Sequence, residues 1–210
     1  MSPINNRIKD VLITLAVAKS YHQHLGRLRL QKFIYLADII SLYWGILGSN
    51  NGHKTYKNGP YDSDIQNAVD VLAFRGFVSI YQSNIKEDAT ITASYTITKI
   101  GESLFSTLEK NKLFRNRIEL FRCIGSHVNQ KGWQNLKALV YQEPTYCFNK
   151  VNGWGYRLDY SSLLTNDSLR ILDDLKKMLI KKKNQTLSRE NFTSLYFKLL
   201  AAKLQSTANG

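Results

Sequence analysis

The chain has 210 residues, is 43% hydrophobic, and carries 29 basic against 16 acidic side chains, for a net charge of +13. This is apolar material for one core without cross-links, with no run of the ~18 apolar residues that a membrane span requires, and the cation excess calls for an acidic counterpart: nucleic acid, acidic protein or anionic lipid. The excess is lopsided, with 12 basic and 9 acidic residues in 1–110 against 17 and 7 in 111–210, so the basic surface is expected on the C-terminal half.

The first predicted element follows Arg7 and Lys9. The run Val11 to Ala18 imitates a signal peptide, but Asp10 breaks the basic start. Ile4, Ile8, Leu12, Leu15 and Ala18 fall at helical spacing, which predicts an amphipathic helix stopped by Gly26. A second stripe, Leu30, Phe33, Ile34, Ala37, Ser41 and Trp44, predicts a helix ending near Gly45 and Gly48. After a polar, glycine-rich stretch, Gly59-Pro60 imposes extended backbone, and Ser63 with Gln66 reads as a capping box opening a third helix. Its inner face is Ile65, Val69, Leu72 and Ala73, its outer face Gln66, Asn67 and Asp70, and Gly76 closes it. Two β-prone runs, 77–81 and 90–98, make a hairpin. Thr98 then caps a helix with the stripe Ile100, Leu104, Phe105 and Leu108.

Beyond Asn111 the periodicity is helical through Phe114, Ile118, Phe121 and Ile124 and again through Trp133, Leu136 and Val140, until Pro144 stops it. The stretch 143–165, with Tyr146, Phe148, Gly153-Trp154-Gly155-Tyr156 and Tyr160, is too aromatic for a solvated linker and reads as a packed loop. Two helices follow, on Leu169, Leu172, Leu175 and Leu179 and on Phe192, Leu195, Tyr196 and Leu199, and residues 205–210 read as a disordered tail. The expected fold is mainly α with a small β-hairpin. A winged helix-turn-helix-like module over 5–110 is joined by a basic helical region over 111–204 in the same compact body.

Two segments carry a family resemblance: Arg29-Leu30-Gln31-Lys32-Phe33-Ile34-Tyr35-Leu36-Ala37-Asp38, and Tyr56-Lys57-Asn58-Gly59-Pro60-Tyr61-Asp62 leading into Ile65 to Gly76. Together they resemble the Panacea (SocA-like) domain, over roughly residues 5–110. The resemblance implies a winged-helix-like body that neutralises or adapts a protein encoded beside it, often a toxin. Tyr56, Gly59, Pro60, Tyr61 and Asp62 are the segment expected to meet the partner, with Tyr61, presented by the turn at the head of the third helix, either an interface anchor or a ring stapled against its own core. The second half is longer and more basic than in short forms of the family, and an accessory role in phage defence fits equally well.

Signatures of phosphate loops, zinc proteases and serine hydrolases are absent. Asp62 with Asp64 reads as a helix start and Asp173-Asp174 as an outer helix face, while His22, His24, His53 and His127 read as exposed or helix-terminal imidazoles. Cys123 and Cys147 stand alone, outside any zinc spacing, and read as reduced thiols of a cytoplasmic protein. No cofactor or metal is expected. The third helix and hairpin offer few cations to a duplex. The positive charge is placed instead on Arg115, Arg117, Arg122, Lys131, Lys137, Lys176, Lys177, Lys181, Lys182 and Lys183, a surface for nucleic acid or an acidic partner. The sequence therefore reads first as a binder of a protein partner, a toxin or defence component, with nucleic-acid binding as the alternative and an enzyme of unrecognised type behind both.

Overall fold

A computed structural model describes residues 3–46, 52–85, 87, 91–183 and 187–208. Helix α1 (Pro3–Ser20) ends before the expected Gly26: His22 adopts φ 56°, and Gln23 N donates to Ala18 O. Gly26 instead belongs to a two-residue strand, β1 (Leu25–Gly26), and caps α2 (Arg27–Ser41), which closes in a 3-10 turn at Leu42–Trp44. Helix α3 (Ser63–Phe74) is capped by Asp62, not by Ser63. The Asp62 carboxylate accepts from Asp64 N, and Gln66 bonds Asp70 rather than reaching back. An aspartate one position earlier takes the orphan amide, so the expected capping box does not form.

The hairpin is longer than its apolar runs: β2 (Val78–Ile85) pairs antiparallel with β3 (Ile91–Ile97), with a bulge between Ile80 and Gln82. Strand β1 pairs with the other edge of β3, giving the order β1-β3-β2. The molecule is thus mainly helical with a small three-stranded antiparallel sheet. Thr98 caps α4 (Lys99–Lys110) through Gly101 N, as expected, although Ile100 is exposed rather than inward.

Gly101 makes the hairpin and α4 meet, since a Cβ there would lie 2.2 Å from the carbonyl oxygen of Phe77. Gly101→Ala must therefore push backbone from backbone, and urea denaturation is expected to show a loss of about 1–3 kcal/mol. A wild-type midpoint would mean that α4 rides freely on the sheet.

The C-terminal half contains α5 (Arg115–Lys131), α6 (Leu136–Tyr141), α7 (Pro144–Asn149), α8 (Asp167–Lys183) and α9 (Arg189–Ala208). Two expectations change here. Pro144 ends one helix and opens the next, its missing N–H costing nothing in a first turn that Glu143 caps by accepting from Thr145 N and Tyr146 N. The 143–165 stretch is therefore part helix; its Tyr146 and Tyr160 are packed in the core as expected, whereas Phe148, Trp154 and Tyr156 are exposed. Helix α9 also runs through Ala208, into the segment expected to be disordered.

Helix α2 is the axis of the molecule. Every residue from Leu30 to Ser41 is buried, so it is covered on all sides rather than along one stripe. Phe33 stacks on Trp133 at 5.6 Å and tilts against Phe121, tying α2 to the second half. The expected N-terminal core, Leu12, Leu15, Phe33, Ile34, Ala37, Ile65, Val69, Leu72 and Ile97, is buried, with Leu104 partly so. Burial of α2 from Leu30 to Ser41 leaves Gln31, Lys32, Tyr35 and Asp38 no route to water, and each must find its partner inside.

Candidate functional site

Asp38 finds two guanidiniums. Arg7 donates to it from Nη1 at 2.6 Å, to Asp10 at 3.1 Å, and from Nε to Asp62 at 2.8 Å. Arg117 donates to both oxygens of Asp10 at 2.9 Å and to the second oxygen of Asp38 at 2.8 Å. All five side chains are buried, as is His53, whose Nε2 lies 3.4 Å from Asp38 Oδ2. Burial alone would raise the Asp38 pKa, but Arg7 and Arg117 hold it well below the usual carboxylate range. Burial likewise lowers both arginines, and the carboxylates around them more than reverse it. For His53 burial wins over Asp38, and the pKa falls. Asp62 is further fixed by the Gln31 amide, which donates to its carbonyl at 2.7 Å and accepts from its N–H at 2.9 Å. Charge-assisted bonds thus lock the start of α3 onto α1, α2 and α5.

Above this lock lies the Tyr56–Asp62 turn. Gly59 has φ 88°, and a Cβ on it would meet Tyr141 Cε1 at 2.7 Å and Lys32 Nζ at 2.8 Å, so both conformation and space require glycine. Lys32 reaches up through the core to donate to Pro60 O at 2.8 Å. Burial, helped by nearby Lys137, brings its pKa down to about 7. Lys54 and Tyr61 exchange backbone hydrogen bonds at 2.8 and 3.0 Å, closing the turn. Arg27 clasps Tyr61 from outside, donating to its hydroxyl at 2.7 Å with the guanidinium 5.2 Å from the ring centre, and the Tyr56 ring lies 5.4 Å away.

A second segment joins this surface through Thr55, which is buried. Its hydroxyl donates to Gly153 O at 2.5 Å and accepts from Tyr156 N at 3.0 Å, while its backbone N–H donates to Tyr156 O and its carbonyl accepts from Gly155 N, both at 2.8 Å. The backbones of Lys54 and Arg157 also pair antiparallel. The Gly153-Trp154-Gly155-Tyr156 turn is therefore bolted beside the Tyr56 turn.

Of the residues assigned to the partner surface from sequence, Tyr56 is exposed and Tyr61 half-buried. Gly59, Pro60 and Asp62 are buried and act beneath the surface, because the turn folds back over Lys32 and Arg7. Arg117 is corrected most: it is a buried ligand of Asp10 and Asp38, not a surface cation. Arg122 is paired with Glu109, and Lys177 with Asp173 at 2.8 Å. Lys176 lies over Tyr43 and Lys137 over Tyr141, while Arg115 and Lys131 are exposed. The side chains of Lys181, Lys182 and Lys183 lie outside the described residues. His53 is neither exposed nor helix-terminal. The sequence reading missed its place beside Asp38, and it missed the outward display of Trp154, for which the flanking glycines were the available signal.

Among the described residues no group of three or more His, Cys, Asp or Glu side chains is placed to hold a metal, and no helix is long and apolar enough to cross a membrane. No family model matches the chain, and a search of curated proteins finds no match.

Proposed function

We propose that the chain is a macromolecule-binding protein rather than an enzyme, an antitoxin-like or adaptor partner that engages a protein encoded nearby in a toxin–antitoxin or phage-defence system. Its body is read as a Panacea-like winged helix. The order α1-β1-α2-α3-β2-β3, with the short β1 beside β3, supports that reading.

One observation carries the protein-partner reading: the tyrosine pair Tyr56 and Tyr61 stands on a turn over-determined from below by Lys32 and from the side by Arg27. Large aromatic rings on a fixed backbone lose little entropy on binding, which is why interface hot spots favour them. The nucleic-acid alternative draws on the basic second half, where Arg117 is buried and Arg122 and Lys177 already face carboxylates.

The test is affinity purification of the tagged full chain from its host, followed by titration of the recovered partner. Tyr56→Ala is expected to keep the melting temperature and weaken binding about 30-fold, the ~2 kcal/mol of a hot spot. Unchanged affinity in both Tyr56→Ala and Tyr61→Ala, or recovery of nucleic acid alone, would overturn the reading.

A further inference from the structure

Of the three tryptophans, Trp44 and Trp133 are in the core, while Trp154 is 65% exposed. It stands between Gly153 (φ 89°) and Gly155 (φ 84°), conformations that other residues adopt only under strain, and a Cβ on either glycine would meet open space. Its sequence neighbours Phe148, Val151 and Tyr156 are exposed as well, and exposed apolar side chains that are grouped, unlike single ones, mark interaction sites. The turn that carries the indole is held by four hydrogen bonds with Thr55, two donated and two accepted by that buried residue. A loop that merely needed to turn could do so without either the tryptophan or the anchor.

The surroundings are mainly basic. Residues 52–61 contain Lys54 and Lys57 and no acid. Residues 150–160 contain Lys150, Arg157 and one acid, Asp159, which accepts from the backbone and hydroxyl of Ser161 and lies within electrostatic reach of Arg157. Lys54, Lys57, Lys150 and Arg157 are all exposed.

We infer that Trp154 is a preformed anchor that inserts into an apolar pocket on the protein partner, and that the rim of that pocket is acidic to match Lys54, Lys57 and Lys150. The inference rests on the protein-partner reading above and names the chemistry of that partner. A projecting indole flanked by open space fits insertion into a pocket. A single-stranded nucleic acid, the other polymer that pairs cations with aromatic rings, is held in grooves lined by stacking faces.

The experiment places p-benzoylphenylalanine at position 154 of the full chain in its host and irradiates. The photoadduct is expected to be a protein, joined at a segment rich in Asp and Glu. Binding of that purified protein to the wild-type chain should shift Trp emission to the blue and shield it from acrylamide. Trp154→Ala should weaken binding about 30-fold or more with an unchanged melting curve, Trp154→Phe should restore part of it, and Lys54→Glu with Lys57→Glu should slow association at low salt. A nuclease-sensitive adduct, no adduct, an adduct at a basic segment, or affinity within twofold for Trp154→Ala overturns the inference. If Trp154→Ala binds normally while Tyr56→Ala does not, the inference fails and the protein-partner reading stands. If neither matters, both fail.

Discussion

Asp38→Ala lowers the stability of the folded chain by about 3–5 kcal/mol in chemical denaturation, because it leaves Arg7 and Arg117 facing each other in the core with one carboxylate fewer between them. With roughly 2–4 °C of melting temperature per kcal/mol for a chain of this size, the thermal midpoint falls by about 6–20 °C. The lock also makes the protein acid-sensitive in two stages. His53 has a lowered pKa in the fold, so below about 6.5 the unfolded chain takes up a proton that the folded one refuses, and stability declines from there down to the folded value. Asp38 is depressed, so its contribution is complete above about 3.9, the unfolded value, and is lost as pH falls toward the lower folded value. Glu143, raised by burial, works in the opposite sense, so the first stage is best read as the difference between wild type and His53→Gln. A difference independent of pH between 7 and 5 would remove His53 from the account.

The same cluster shows where reading the sequence succeeded and where it stopped. Apolar periodicity placed Leu12, Phe33, Val69 and Leu72 in the core and the hairpin after Gly76, because burial of one face leaves a period that a single chain displays. It could not show that α2 is buried all round. The polar residues Lys32 and Asp38 lie outside its apolar stripe, and only partners far along the chain, as Arg117 is 79 residues from Asp38, bring such groups inside. Arg117 was misassigned for the same reason, since on α5 a guanidinium facing water and one facing two carboxylates look alike. The Tyr56–Asp62 turn was legible as a unit, yet its division into exposed Tyr56 and buried Asp62 depends on Arg7, 55 residues away. Glu143 and Pro144 were a missed local signal: an acidic residue before proline is a good helix opening as well as a stop.

Lys32→Met is expected to change how stability depends on pH on the alkaline side. Burial brings the folded pKa to about 7 while the unfolded lysine keeps about 10.4. Between those values the unfolded chain holds the proton that the folded one has released, so wild-type stability gains with rising pH. Relative to Lys32→Met, wild type should gain roughly 1.5–2 kcal/mol between pH 7 and 8.5. The variant loses the bond to Pro60 O, so its partner affinity should fall even where it is the more stable protein, because the Tyr56 turn loses its support from below. Parallel pH profiles for the two proteins would show that the Lys32 ammonium stays charged in the core.

The pairing of Arg117 with Asp10 and Asp38 also bears on the birth of the molecule. On the ribosome the two aspartates emerge long before the arginine that both of them need, and Trp133, which stacks on Phe33, comes later still. Until then the segment through residue 110 holds a central helix without its contacts to α5 and α6 and a carboxylate pair without one of its two guanidiniums. Synthesis therefore passes through an interval in which the half that bears the family resemblance is complete in sequence and unfinished in structure, and the turn that presents Tyr56 still lacks the Gly153–Tyr156 segment that Thr55 bonds.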